Sequence, residues 1–348
     1  MKRERNGFTL IELLVVIAII ALLIAILLPS LGQARALSRA VKCGAQMRSI
    51  GAAVAAYTSD FSGTFPASYV YVNPVTGDYD PQQNSGSPHA YEHWSYALFG
   101  YNNGIKAFTC PEFAYGGAPR ANPGKNASYW CDGQYDTTSN ASPGAASIED
   151  FQAPFVAFAA NSAIMPRNKF TVTAATSDTS NGTSGNGIRL NRYVRRVTVP
   201  NDAHTILATE YNKNWVAECT NDSGENVCKS HRPLNPFFTF GGGSDEYQSS
   251  LSDFFVPSSI SRLMDGASAA RAGVNTIADP QTELNDVGRN HPGSYIYNGI
   301  NYGGTSNFIY VDGHVERKNI VQTMTPSAGG WEWGDAYYAI NGDNHVQF

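Results

Sequence analysis

Residues 4–32 read ERNGFTLIELLVVIAIIALLIAILLPSLG. From Phe8 to Leu28 the run is apolar except for Thr9 and Glu12. Its 21 residues, at about 1.5 Å each, make a helix of roughly 31 Å, enough to cross a hydrocarbon core. Lys2, Arg3 and Arg5 precede it, which keeps the N-terminus cytoplasmic and sends everything after Leu28 outside. A carboxylate in the second turn of such a helix needs a reason, because a charge there is costly.

An ordinary cleaved signal has a shorter apolar core and no carboxylate inside it, although QARA at 33–36 has the small residues of a cleavage site. An uncleaved signal anchor accounts for the length and the basic flank but leaves Glu12 and Gly7 without a purpose. The third reading uses both. Gly7-Phe8-Thr9-Leu10-Ile11-Glu12 resembles the processing signal of type IV pilins and the pseudopilins of type II secretion. The resemblance covers about 30 contiguous residues at the N-terminus.

The resemblance implies that a prepilin peptidase cuts after Gly7 and methylates Phe8, the first mature residue. It makes Glu12 the fifth mature residue and puts Pro29 where the family carries a helix-loosening proline. Glu12 is then an assembly residue, with the new α-amino group of a neighbouring subunit as its partner. The implied organisation is a leader at 1–7, a spine helix at 8–60 whose 8–28 part is transmembrane and then filament core, and an extracytoplasmic globular domain at 61–348. The implied partners are the peptidase, a pilus or secretion assembly platform and further copies in a helical filament. The chain would sit in the inner membrane before assembly and in a periplasmic or cell-surface filament afterwards. The competing class is a single-pass anchored extracytoplasmic protein that binds a ligand or glycan without polymerising.

Beyond Pro29 the helical pattern resumes. Ala36, Ala40, Cys43, Met47, Ile50, Val54 and Tyr57 recur at alternating spacings of four and three, one stripe on a helix. One long helix is expected from about Phe8 to Asp60, with Pro29 kinking or locally unwinding it. Its second half must pack on the rest of the chain.

That remainder is rich in turn formers. The 62–88 stretch reads as turns, EHWSYALFGYNN (92–103) as a short helix with Trp94, Leu98 and Tyr101 on one face, and IKAFTCP (105–111) as a short strand. Residues 171–187 are nearly low complexity and read as an exposed loop. RYVRRVTV (192–199) and HTILATE (204–210) have strand composition. SNFIYVDGHVERKN reads as a hairpin turning at Asp312-Gly313 through a type I′ turn. WEWGDAYYAI (331–340) reads as a last strand. No regular strand–helix alternation occurs, which excludes a parallel α/β sheet. The expected fold is α+β: a long N-terminal spine on an antiparallel sheet with large loop insertions.

The second half also resembles one subgroup of pilin-like proteins. Its marks here are Cys43 in the spine, FTCP at 108–111, PNDAHTILATE at 200–210, and a His followed by DGHVE. The subgroup spaces that His nine residues from the Asp-Gly; here twenty separate His291 from Asp312, with SYIYNGINYGG (294–304) as the insertion. No role is carried over to His291.

Net charge is −5, of which the first seven residues contribute +2, so the body is acidic and a general nucleic-acid partner is excluded. Of the five cysteines, Cys219 and Cys228 bracket eight residues rich in turn formers, and a short loop of that kind closes at low entropic cost into a disulfide. For the others the resemblance favours Cys43–Cys110, tying body to spine, and Cys110–Cys131 is the sequence-local rival. No CxxC pair suggests structural zinc.

His89 and His93 in HAYEH stand four apart around Glu92, but in a loop context that reads as a surface pair. Asp312, His314 and Glu316 alternate on one strand face and need no metal at a hairpin end. The resemblance allows calcium in acidic loops, at Asp222 to Glu225 or at Asp245/Glu246, though the spacing matches no EF-hand and no site is assigned. No metal ligand set, cofactor or catalytic residue is assigned otherwise, and the chain reads as a structural protein, not an enzyme.

Overall fold

The computed structural model describes residues 8–73, 75–77, 90–102, 104–135, 148–166, 193–222, 225–240, 254–269, 283–325, 331–335 and 338. In chain order it begins with helix α1 (Leu10–Asp60), strands β1 (Tyr69–Val72) and β2 (Ala90–His93), and helix α2 (Trp94–Ala97). Short strands β3 (Ala118–Pro119), β4 (Gln134–Tyr135), β5 (Phe155–Val156) and β6 (Phe158–Ala160) follow, then β7 (Ile206–Glu210), β8 (Cys219–Asp222) and β9 (Glu225–Cys228). The rest is β10 (Phe237–Phe240), β11 (Phe254–Pro257), α3 (Gly266–Ala269), β12 (Ile296–Tyr297), β13 (Ile300–Asn301), β14 (Ser306–Tyr310), β15 (Val315–Lys318) and α4 (Ile320–Thr323).

The architecture is α+β. The largest sheet runs β15-β14-β7-β6, and all its neighbours are antiparallel. β7 and β14 are central strands buried at every position, including the polar Thr209, Glu210, Ser306 and Asn307, which hydrogen-bond to one another. The second half of α1 lies across this sheet. Its buried residues are Ala40, Cys43, Gly44, Met47, Ile50, Gly51, Ala53, Val54 and Thr58. The stripe read from sequence is therefore there from Ala40 to Val54, widened by two glycines; Ala36 and Tyr57 are half-buried. Gly51 makes the close approach, since a Cβ there would stand 2.4 Å from Ile309 Cδ1. Pro29 does not interrupt α1, which is continuous from Leu10 to Asp60. It removes one backbone donor, a loss tolerated in a helix that continues on both sides.

Four sequence expectations are corrected. Part of the turn-rich 62–88 stretch is strand β1, paired with β2 from Tyr69↔His93 to Val72↔Ala90. Gly104–Phe108 is a 3-10 turn, not a strand: Gly104 sits at φ +71, its N–H caps onto Asn102 Oδ1, and Ala107 and Phe108 turn inward. Arg196–Thr198 is likewise a 3-10 turn, held locally by Thr198 Oγ1 on the Arg195 carbonyl and by the Arg196–Asp202 pair at 2.7 Å. Residues 331–335 are no strand. Trp331, Glu332 and Trp333 are all buried, and Gly334 at φ +101 turns the chain after Glu332 has accepted the Ile206 N–H at 2.7 Å.

The hairpin β14–β15 forms in the register Ser306↔Lys318 to Ile309↔Val315. Its turn differs from expectation. Gly313 at φ +96 has positive φ and Asp312 does not, so this is no type I′ turn. Gly313 N–H bonds to the Tyr310 carbonyl at 2.9 Å and Tyr310 N–H to the His314 carbonyl at 3.0 Å, a turn closed by a glycine bulge. Asp312 Oδ1 accepts from the His314 N–H at 3.0 Å and meets its Nδ1 at 2.6 Å.

Candidate functional site

Two regions of the spine carry the chemistry. The first is its bare end. From Leu10 to Leu31 none of the apolar side chains packs on the body, and the helix has a mean hydropathy of 3.3 over its membrane-length window with nothing buried there. Glu12 is the one ionisable side chain between Arg5 and Arg35. Thr9 is the N-cap of α1. Its Oγ1 accepts the Glu12 N–H at 3.3 Å, while Glu12 Oε2 accepts the Thr9 N–H at 2.9 Å and its hydroxyl at 2.7 Å. This is a capping box, legible in the Thr-x-x-Glu spacing but missed in the sequence reading. It fixes the helix start one residue after Thr9 and gives the carboxylate a partner within its own chain. Phe8 precedes it, 71% exposed. Gly7 lies outside the described residues.

The second region is where the spine meets the sheet. Cys43 of α1 and Cys110 form a disulfide with Cα atoms 5.2 Å apart. Beside it His291 Nε2 meets Glu210 Oε1 at 2.8 Å, and neither side chain has any solvent exposure. Glu210 ends β7. It also accepts Asn307 Nδ2 at 2.8 Å on Oε1, and Ser306 Oγ at 3.2 Å and Asn307 N–H at 3.3 Å on Oε2. Asn307 Nδ2 reaches on to the Ala40 carbonyl of α1 at 3.3 Å. Three strands of sequence thus close on one helix turn: the end of the TILATE segment, the His before the insertion, and the start of β14.

The segment that follows His291 closes on itself. His291 and Thr305 form a two-way backbone bridge at 3.0 and 3.1 Å, so residues 294–304 leave and return at one point. They form the exposed hairpin β12–β13, and His291 keeps its place beside β14.

Other sequence candidates fare differently. His93 is buried at the N-cap of α2 with Nδ1 on Ser95 Oγ at 2.8 Å, so HAYEH is no surface pair; His89 lies outside the described residues. Burial pushes His93 from 6.5 down to about 3. The unfolded chain then takes up that proton first, and the stability it contributes above pH 6.5 is lost as pH falls toward about 3. Buried Asp150 acts in the opposite sense, because burial raises it to about 6. His93→Asn keeps an N-cap acceptor and removes the titration, so its urea midpoint should fall less than that of the unaltered chain between pH 6.5 and 4.

Cys219 and Cys228 stand opposite one another in β8–β9, but both are buried thiols and the expected bridge is not formed. Cys219 Sγ is turned to the Trp215 carbonyl at 3.3 Å instead. Cys131 is the third buried thiol, pushed up to about 12 by burial and by Cys228. The rival Cys110–Cys131 pairing does not occur. Asp245, Glu246 and the Ser/Thr-rich loop at 171–187 lie outside the described residues, as do the side chains of Asp222 and Glu225. An apolar cleft of about 1040 Å³ opens between β11 and β12–β13, with Val256, Ile260, Tyr297, Ile300 and Trp331 in its walls.

Residues 2–28 match the family model described as a prokaryotic N-terminal methylation motif. No curated protein and no solved structure matches the chain. The motif supports a type IV pilin-like protein with a prepilin-type N-terminus, and with the apolar helix it fits a single-pass inner-membrane anchor.

Proposed function

We propose that the chain is a structural subunit of a type IV pilus-like or type II secretion pseudopilus filament, processed by prepilin peptidase between Gly7 and Phe8 and assembled through its N-terminal helix. The observation that carries this reading is the bare half of α1, apolar all round, exposed on every side and bearing a single carboxylate five residues from the cleavage position. Such a helix is stable in lipid and equally stable among sister helices, so the same surface serves before and after extraction from the membrane. The body then stands outside the membrane, in the periplasm or on the cell surface. The closure of the 294–304 insertion at His291 supports placing the chain in the His/Asp-Gly subgroup, since removing those residues restores its spacing. On this reading the body needs no cofactor and performs no catalysis.

The cleft beside Tyr297 and Trp331 favours the second reading, an anchored monomer that binds a ligand or glycan. Electron microscopy of filaments sheared from native cells, with their peptides identified by mass spectrometry, separates the two. This chain as a stoichiometric filament component is the expected result. Its recovery from membranes alone, with filaments present and lacking it, would favour the anchored monomer.

A further inference from the structure

The buried cluster under the spine has a composition that a disulfide and a hydrogen bond do not exhaust. Cys43, Cys110, Glu210 and His291 offer two sulfurs, a carboxylate oxygen and a ring nitrogen that all lie within 4.8 Å of one another, and all four residues are buried. His291 has a nitrogen to spare: with Nε2 on Glu210, its Nδ1 is buried and has no hydrogen-bond partner among the described residues. An unmade bond at a fully buried imidazole leaves its desolvation uncompensated, so a site that keeps one has a use for it or an absent partner.

We propose that, once the Cys43–Cys110 bond is reduced, the chain binds a thiophilic divalent cation of the zinc class through Cys43, Cys110, His291 and Glu210. Two sulfurs, one imidazole nitrogen and one carboxylate oxygen are a four-coordinate set of the kind zinc takes, with Zn–S about 2.3 Å and Zn–N about 2.0 Å. The Cα atoms of the two cysteines, 5.2 Å apart, let both thiolates reach one ion. Two thiolates and a carboxylate overbalance a dication by one charge. Asn307 and Ser306 already donate three hydrogen bonds to Glu210 and offset part of that excess.

The two states exclude each other. A dithiol reductant passes two electrons and two protons to the disulfide and becomes a disulfide itself. The cation then displaces the two thiol protons to solvent, and His291 binds as the neutral imidazole. In either state the spine is tied to the body at Cys43, by a covalent bond in one and by a shared ion in the other. A chain folding before its cysteines are oxidised would thereby already hold its helix in register. The site lies where the second half of the spine meets the body, and this inference does not rest on the filament reading.

The test uses the full-length chain in detergent, with Cys131, Cys219 and Cys228 replaced by serine so that only the proposed thiols remain. After reduction by a dithiol and anaerobic desalting, Co²⁺ is titrated as an optical probe and Zn²⁺ is then added. The expected result is one equivalent of Co²⁺ with thiolate-to-cobalt absorption and the strong visible bands of a four-coordinate site, abolished by Zn²⁺ and absent from the oxidised chain. Asn307→Ala, which removes donors behind Glu210, should weaken binding by about 10- to 100-fold. Protection read in the unsubstituted chain guards against a misfolded variant: Zn²⁺ should shield the Cys43 and Cys110 peptides from alkylation and slow their re-oxidation. Absence of both the spectrum and the protection in the reduced chain, or a spectrum that survives His291→Ala and Cys43→Ser, would overturn the proposal.

Discussion

Glu12→Ala is expected to leave membrane insertion and leader cleavage intact and to lower filament yield about tenfold or more. In a lone anchored chain the carboxylate sits within one turn of the helix start and is satisfied by Thr9, so its removal costs only a cap. In a bundle of such helices the headgroups and water are gone and the charge requires a partner. On the proposed reading, cleavage after Gly7 supplies one, the α-amino group of Phe8 on a neighbouring subunit; only one stagger would neutralise both charges and so fix axial register at every contact. The capping box adds a discriminating variant. Glu12→Gln keeps a side chain able to accept from Thr9 but carries no charge. Filament yield measured by shearing and immunoblot should fall for both variants. Normal assembly of Glu12→Gln would assign the residue to helix capping, and normal assembly of Glu12→Ala would remove it from assembly altogether.

Breaking the Cys43–Cys110 bond is expected to cost the body about 4 kcal/mol, the loop-entropy value for a closed loop of 67 residues. The bond holds the turn at 104–108 against the spine, and the spine supplies Cys43, Met47 and Ile50 to the main core. Urea unfolding followed by tryptophan fluorescence, with the full-length chain in detergent, should show the same lowered midpoint for Cys43→Ser/Cys110→Ser as for the reduced metal-free chain. An unchanged midpoint on full reduction would mean that packing alone fixes the body to the helix.

The parts of the fold that were legible in sequence are those where one local pattern is repeated. The stripe on α1 persists over many turns, and the strand-forming arms of β14–β15 flank an Asp-Gly pair, so local pattern and composition place them. The segments that misled are short and set by distant contacts. The FTC segment carries strand-forming residues, yet its cysteine is fixed by the spine and its backbone turns to reach it. Gly44 and Gly51 lie beside the stripe spaced in the sequence, and they are where Asn307 and Ile309 approach the helix. Glu210 and His291 are 81 residues apart. Nothing local in either sequence announces the other, and the pair exists only once the fold brings the end of β7 beside His291. The Cys219–Cys228 expectation failed for the converse reason: proximity in sequence was met by proximity in space, but the thiol of Cys219 is turned to a backbone carbonyl.

The central claim is that Phe8, and not a residue upstream or downstream of the apolar run, begins the working protein. Mass spectrometry of the N-terminal peptide of the chain isolated from its own cells tests it directly. A peptide beginning at Phe8 and carrying one N-methyl group, with Glu12 at its fifth position, is the expected result. An intact Met1, or a mature chain beginning at Ala36 or Ser38 after loss of the whole apolar helix, would contradict it.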